Sequence, residues 1–372
     1  MNTVQELAKL GQSIWYDNIE RGLLKNGEMA GMIERGEIRG VTSNPTIFMK
    51  AITQTADYDD ELMSLIEAGH DVEEIFWQLA IEDIQVAADL FRPLFDRTNG
   101  GDGYVSIEVN PALAADTQAT LAEVKSLWKR VDRPNLMVKI PATEAGIPAI
   151  AAATAEGVNV NITLIFSRER YAAVMDAYLQ GLEQRVANGQ PIDNIASVAS
   201  FFVSRVDTLV DKRLQAMIDK GGPQAEEAAA LLGKAAIANA KLAYADYKRV
   251  FTSERFKRLQ TKGARVQRPL WASTGTKNPA YSDVVYIEEL IGPDTVNTVP
   301  PSTLAALLDH GVAKLTVEEN LDEAQATIDR LEALGISMTD VTDELEHEGV
   351  KSFKGSFSEL LAAVDKRRQV AV

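Results

Sequence analysis

The chain has 372 residues, 46% of them hydrophobic, a formal net charge of −16 and no cysteine. That length and apolar content fit one large domain with a full core. The acidic balance and lack of a basic run exclude nucleic acid and anionic membrane surfaces as expected partners, and the missing cysteines exclude disulfides, thiolate nucleophiles and thiolate metal sites. The start, MNTVQELAKLGQ, has no basic segment followed by an apolar one, and no apolar run reaches membrane-spanning length, so the expected location is cytoplasmic. A small anionic substrate needs only a few local cations and stays open.

Residues 1–11 read as a helix leading into 13–17, a first strand that ends at Asp17. Residues 20–36 are helical. A second strand is expected over 37–45, ending in polar residues, with Pro45 stopping it and holding Asn44 extended. Residues 58–97 read as helical, because Val72, Ile75, Phe76, Leu79, Ala80, Leu90, Phe91 and Leu94 recur on one face at i, i+3, i+4 spacing. A glycine-rich turn at 99–103 leads to a third strand at 104–109, and a helix is expected over about 114–130.

The stretch 135–143 reads as a buried fourth strand. Leu136, Met137, Val138 and Ile140 suit a strand covered on both faces. Lys139 does not, since a buried ammonium is costly unless paired or deprotonated. It is either held by a carboxylate or used as an amine, and its stem could also snorkel to water. Next come a helix at 144–155, a fifth strand at 158–166, a helix at 168–187 and a sixth strand at 195–200. A long alanine-rich helical region covers about 205–253. A seventh strand at 269–273 and an eighth at 294–299 follow, the last stopped by Pro300 and Pro301. Helices are expected over most of 302–335 and over 356–368.

Eight short strands alternating with helices predict an α/β fold, a (β/α)8 TIM barrel with extra helices. The runner-up is a doubly wound sheet, weakened by the absence of both glycine-rich nucleotide-binding motifs. Residues 1–372 read as one domain. The tail at 340–372 repeats Val350, Phe353, Phe357, Leu360 and Leu361 at helical spacing. It is expected to pack on the barrel or, around 349–358, across its mouth, where it would exclude water.

Polar residues gather at the strands' C-terminal ends, the face where barrel enzymes place their chemistry. They are Asp17, Thr42, Asn44, Glu108, Asn110, Lys139, Thr143, Asn161, Thr163, Ser200 and Ser273. Each alone has an ordinary explanation: Asp17 and Asn44 as helix caps, Thr42, Asn161 and Thr163 as satisfied interior groups, Glu108 and Lys139 as a structural ion pair. Together they are hard to explain as packing, because barrel interiors favour Val, Ile and Leu. The three histidines, His70, His310 and His347, lack ligand-type spacing, which disfavours a metal hydrolase.

Five ordered motifs resemble the transaldolase family. They are Gly40-Val41-Thr42-Ser43-Asn44-Pro45-Thr46-Ile47-Phe48, Leu136-Met137-Val138-Lys139-Ile140-Pro141-Ala142-Thr143, Asn161-Ile162-Thr163-Leu164-Ile165-Phe166, Ser200-Phe201-Phe202-Val203-Ser204-Arg205-Val206-Asp207 and Trp271-Ala272-Ser273-Thr274-Gly275-Thr276-Lys277-Asn278-Pro279. The last is similar to the longer bacterial members. The resemblance implies a class I aldolase-like barrel in the pentose phosphate pathway. Such an enzyme moves a dihydroxyacetone unit from sedoheptulose 7-phosphate to glyceraldehyde 3-phosphate, with no metal and no cofactor.

By the same resemblance Lys139 is the Schiff-base nucleophile and Asp17 the general acid/base. Glu108 relays protons through a water that Thr163 positions. Asn44 and Asn161 hold substrate hydroxyls, Thr42 helps to hold the lysine environment, and Arg205 with Ser200 binds phosphate. Where shorter relatives carry Ser-x-Arg, this chain has Ser273 and, after an insertion, Lys277 as the expected cation. Arg168 is expected only at the surface or mouth. The implied partners are sugar phosphates, with the chain a monomer or homodimer. The rival readings are a lysine aldolase that releases free dihydroxyacetone and a non-catalytic barrel.

Overall fold

Seven strands line up in parallel in the order β1-β7-β6-β5-β4-β3-β2 in the computed structural model, which describes residues 1–371. They are β1 (Ser13–Tyr16), β2 (Val105–Glu108), β3 (Leu136–Pro141), β4 (Val160–Ile165), β5 (Ser197–Phe202), β6 (Gln267–Ala272) and β7 (Val296–Val299). Their side chains are buried almost throughout, as parallel strands between a filled interior and a ring of helices must be.

The sheet's two free edges, β1 and β2, are joined by residues 39–42. Val41 bridges Tyr16 on one side and Val105 on the other. Arg39 N–H donates to Ile14 O, Thr42 N–H to Tyr16 O, Val41 N–H to Tyr104 O, and Ser106 N–H donates back to Val41 O. The sheet therefore closes, and the fold is a (β/α)8 barrel.

The expected second strand is thus a correction in extent: 37–45 supplies a four-residue stave, and only Val41 pairs on both sides as a bridge. The reason is local. A Cβ on Gly40 would stand 2.7 Å from the Trp15 ring, so this stave is pressed too closely for a regular strand of side chains. Beyond Ser43 the chain is already committed to a helix. Asn44 is extended (φ −155°, ψ 168°) and its side chain accepts the Ile47 N–H, so Pro45 opens α4.

The helices are α1 (Thr3–Lys9), α2 (Arg21–Lys25), α3 (Glu28–Glu34), α4 (Pro45–Gln54), α5 (Asp59–Glu67), α6 (Val72–Arg97), α7 (Thr117–Val131), α8 (Gly146–Glu156) and α9 (Arg168–Ala187). They continue with α10 (Ser204–Lys220), α11 (Ala225–Leu231), α12 (Ala235–Phe251), α13 (Glu254–Gln260), α14 (Val285–Glu288), α15 (Pro301–His310), α16 (Leu321–Ala333) and α17 (Met338–Ala371). Three expected long helices are broken where glycines take positive φ: Gly27 (84°) within 20–36, Gly69 (80°) within 58–97, and Gly221 (71°) and Gly233 (70°) within 205–253. Among the described residues no helix is long and apolar enough to cross a membrane.

α17 starts well before the helix expected at 356–368. Its middle crosses the C-terminal end of the barrel. Gly349 sits so close that a Cβ there would be 2.9 Å from Leu164 Cδ2. Thr46 Oγ1 on α4 donates to Ser356 Oγ at 2.8 Å. Phe357 packs edge-on against Phe76 of α6, with ring centroids 5.4 Å apart.

The barrel's other end is plugged by Asp102. Its carboxylate accepts from Ser13 Oγ (2.6 Å), Trp15 Nε1 (3.1 Å) and Arg39 Nε (2.7 Å). Arg268 lies 3.5 Å away. β1, the 39–42 stave and β6 are sewn together there.

Candidate active site

Lys139 projects from β3 into the barrel, with its side chain 6% exposed. The register sets Glu108 of β2 beside it on one side and Asn161 of β4 on the other. Its Nζ stands 2.9 Å from Glu108 Oε2 and donates to the Ser43 carbonyl at 2.9 Å. Burial pushes the Glu108 carboxyl up from its ordinary range and the charge of Asp17 adds to this, while Lys139 opposes it. A carboxyl so placed is a ready acceptor for a proton leaving the lysine.

Asp17 follows β1 directly and faces the same space, half-buried. Burial raises its carboxyl too, opposed by the Thr42 hydroxyl and by Lys139 and Lys277. Thr42 Oγ1 donates to Asp17 Oδ1 at 2.6 Å and lies 2.5 Å from Thr298 Oγ1 on β7. The hydroxyl of Thr42 thus serves Asp17. It is the neighbouring Ser43 carbonyl that holds the lysine.

Asn161 is fully buried one layer down. Its Oδ1 accepts from Ser200 Oγ of β5 at 2.7 Å, and its Nδ2 donates to Ser106 Oγ of β2 at 3.0 Å. Thr163 lies two residues on, on the same face of β4, and its Oγ1 has no hydrogen-bond partner among the described residues. Immediately after it Leu164 takes φ +60°, where the β4–β5 register shifts. A buried leucine in the left-handed region is strained. Ser273 does the same (φ +55°) at the end of β6. Its carbonyl accepts the Ser204 N–H, and its Oγ lies 3.1 Å from Ser204 Oγ.

These groups surround a cavity of about 560 Å³ at the barrel's C-terminal end. Asp17, Thr42, Asn44, Lys139, Thr163, Ser200, Arg205, Ser273 and Lys277 all line it. Of the expected set, Glu108 and Asn161 lie behind the lining and touch what lines it. Arg205, on the first turn of α10, has its guanidinium 5.3 Å from the Phe202 ring centroid. No carboxylate lies within ion-pair distance of it among the described residues. Lys277 sits on the exposed loop after β6. Asn44's side-chain oxygen already caps α4, which leaves its NH2 to face the cavity. Arg168 is bonded to Asp246 through two nitrogens and does not line the cavity.

Sequence reading missed Thr298 and Lys50 of α4, both on the lining, and Ser106 beneath it; Phe353 of α17, within the 349–358 stretch expected across the mouth, also lines the cavity. Thr298 and Ser106 had a signal: each is a polar residue at an inward position of a short apolar strand. Lys50 lies on a helix that was not foreseen.

A lysine held against a buried carboxyl at the base of a polar cavity, in the mouth of a closed parallel barrel, defines an enzyme of the lysine aldolase type. The model of the family Transaldolase/Fructose-6-phosphate aldolase matches residues 14–364, and the chain belongs to that family. Proteins named transaldolase are similar over nearly the whole length. One from Thermobifida fusca is 52% identical over 362 residues, covering 97% of each chain. One from Acidothermus cellulolyticus is 52% identical over 362 residues, covering 97% of this chain and 95% of its own. One from Mycobacterium tuberculosis is 49% identical over 357 residues, covering 95% and 94%.

Proposed function

We propose that the chain is a transaldolase that carries a dihydroxyacetone unit on Lys139 from sedoheptulose 7-phosphate to glyceraldehyde 3-phosphate, releasing erythrose 4-phosphate and fructose 6-phosphate. The observation that carries this reading is Lys139 Nζ at 2.9 Å from the buried Glu108 carboxyl, below a cavity rimmed by Arg205.

Glu108 takes a proton from the lysine, and the free amine adds to the C2 ketone. The carbinolamine hydroxyl then leaves as water on the proton that Glu108 returns, giving the iminium. Thr163 and Glu108 hold the water that relays these protons. The iminium draws the electrons of the C3–C4 bond as Asp17 removes the C4 hydroxyl proton, and the four-carbon aldose leaves. The remaining enamine attacks the acceptor's aldehyde carbon, Asp17 returns its proton to the new alkoxide, and water frees the product from Lys139.

Asn44 binds substrate hydroxyls directly and Asn161 contributes from the layer below, held by Ser200. Thr42 steadies Asp17. Arg205, Ser273 and Lys277 take the phosphate, for which a guanidinium and a strained turn of small residues are suited. Among the described residues Arg205 has no carboxylate partner for phosphate to displace. The domain is the barrel together with α17, whose Phe353 keeps water from the enamine. We read the protein as cytoplasmic, a monomer or homodimer, with no nucleic-acid partner.

An aldolase that releases dihydroxyacetone would share Lys139. The second acid, Glu108, the cation set at the rim and the names of the similar proteins favour transfer. The test is fructose 6-phosphate with and without erythrose 4-phosphate. Transfer predicts sedoheptulose 7-phosphate and glyceraldehyde 3-phosphate in equal amounts, only with the acceptor present. Free dihydroxyacetone formed without acceptor would instead establish the aldolase.

A further inference from the structure

We infer that Thr298 is a positioning residue for the reaction, the terminal donor of a two-hydroxyl chain that sets the orientation and basicity of Asp17 through Thr42. This rests on the reading of Asp17 as the base. The geometry is short and linear in connectivity: Thr298 Oγ1 to Thr42 Oγ1 is 2.5 Å, and Thr42 Oγ1 to Asp17 Oδ1 is 2.6 Å.

A hydroxyl has one proton to give. Thr42 spends its proton on the carboxylate, so at 2.5 Å the proton between the two threonines belongs to Thr298. Among the described residues the Thr298 hydroxyl has no other hydrogen-bond partner, and the residue is only 5% exposed. Donation from Thr298 polarises Thr42 and strengthens its bond to Asp17. When Asp17 holds the substrate's proton, both hydroxyls turn, so that Asp17 donates to Thr42 and Thr42 to Thr298. The carboxyl thus keeps its partner and its rotamer in both halves of the transfer.

The backbone fixes the three parts independently of one another. Asp17 N–H donates to the Val299 carbonyl, Thr42 N–H to the Tyr16 carbonyl, and Trp15 pairs with Thr298 in register. The chain thus crosses the barrel seam, from β7 through the 39–42 stave to the end of β1. The other charged groups facing Asp17 are Lys139 of β3, Glu108 of β2, Lys277 of the loop after β6, Lys50 of α4, Arg205 of α10 and Glu20 on its own loop. None of them makes a hydrogen bond to its carboxylate, so the threonine chain is its orienting contact.

The test is the pH profile of kcat/KM for Thr298→Val and Thr298→Ser, with borohydride trapping of the lysine adduct measured in parallel. Bonds to a charged acceptor are the stronger ones, so losing the chain disfavours the ionised base. In Thr298→Val the acid limb moves up by about 0.5–1 pH unit and kcat falls several-fold below pH 7, with KM and adduct yield unchanged. Thr298→Ser restores the wild-type profile. A wild-type profile in Thr298→Val overturns the inference, and so does an equal loss in both variants, which would make the methyl group the cause. Failure of the parent reading looks different: Asp17→Asn would keep wild-type kcat, or the wild-type protein would form no adduct.

Discussion

Replacing Asp102 by Asn separates the barrel's construction from its chemistry. The regular ladder lacks an eighth strand, and the seam between β1 and β2 rests on residues 39–42. Asp102 ties that seam shut at the end away from Lys139. It accepts three hydrogen bonds, from Ser13, Trp15 and Arg39, and faces Arg268 at 3.5 Å. Asn preserves the shape but offers one acceptor oxygen. Its NH2 then meets a donor, and two arginines lose their counter-charge.

A bond to a charged acceptor contributes about 1.5–3 kcal/mol, and orphaning a fully buried charge costs about 3–5 kcal/mol. Arg39 and Arg268 retain 26% and 18% exposure, so water relieves part of that loss. The expected cost is about 2–4 kcal/mol, which is a fall in Tm of about 3–5 °C for a chain of this size. The assay is a thermal melt beside kcat on the folded fraction at 25 °C. Unchanged kcat is expected. A Tm within 1 °C of wild type would refute the argument that Asp102 holds the seam, and lost kcat at wild-type Tm would refute the separation of the two ends.

Arg205→Ala is expected to raise KM for phosphorylated substrates about 10–100-fold, the value of a charge-assisted contact, with kcat much less affected. Lys277→Ala, on an exposed loop, is expected to raise it by up to about 5-fold, and an unchanged KM would remove Lys277 from the phosphate site. Burial and the charge of Glu73 push the Glu123 carboxyl up to about 7, against its Asn110 N–H bond. Since the folded value lies above the ordinary 4.5, Glu123 supports the fold while protonated, and that support is lost as pH rises through about 7. Glu123→Gln should therefore raise Tm by a few degrees at pH 8.5 and leave it unchanged at pH 4. A rise of equal size at both pH values would contradict the assignment.

Strand positions and the lysine were legible because parallel strands buried on both faces write continuous apolar runs, in which Lys139, Glu108 and Asn161 stand out as exceptions. Helix α9 was read to its limits because Ser167 caps it and its one glycine, Gly181, keeps helical backbone and does not break it. The 39–42 stave was overread as a full strand, since nothing in residues 37–45 alone shows that Trp15 presses on Gly40. α4 was missed because Pro45 stops a strand and opens a helix equally well. Gly27, Gly69, Gly221 and Gly233 split helices whose apolar periodicity runs straight through them. The interior partners of Asp17 were hidden for another reason. Thr42 and Thr298 lie about 250 residues apart in sequence, and only closure of the barrel brings their hydroxyls into contact. For the same reason nothing in the sequence shows that the carbonyl of Ser43, next to Thr42, accepts from Lys139.

The central claim is that Lys139 carries the three-carbon unit, and its most direct measurement is chemical trapping. The protein is incubated with fructose 6-phosphate, reduced with borohydride, digested and mapped by mass spectrometry. The account predicts an addition of dihydroxyacetone size on the peptide holding Lys139, abolished in Lys139→Gln. An adduct on another lysine, or none on folded protein that retains Lys139, would contradict it.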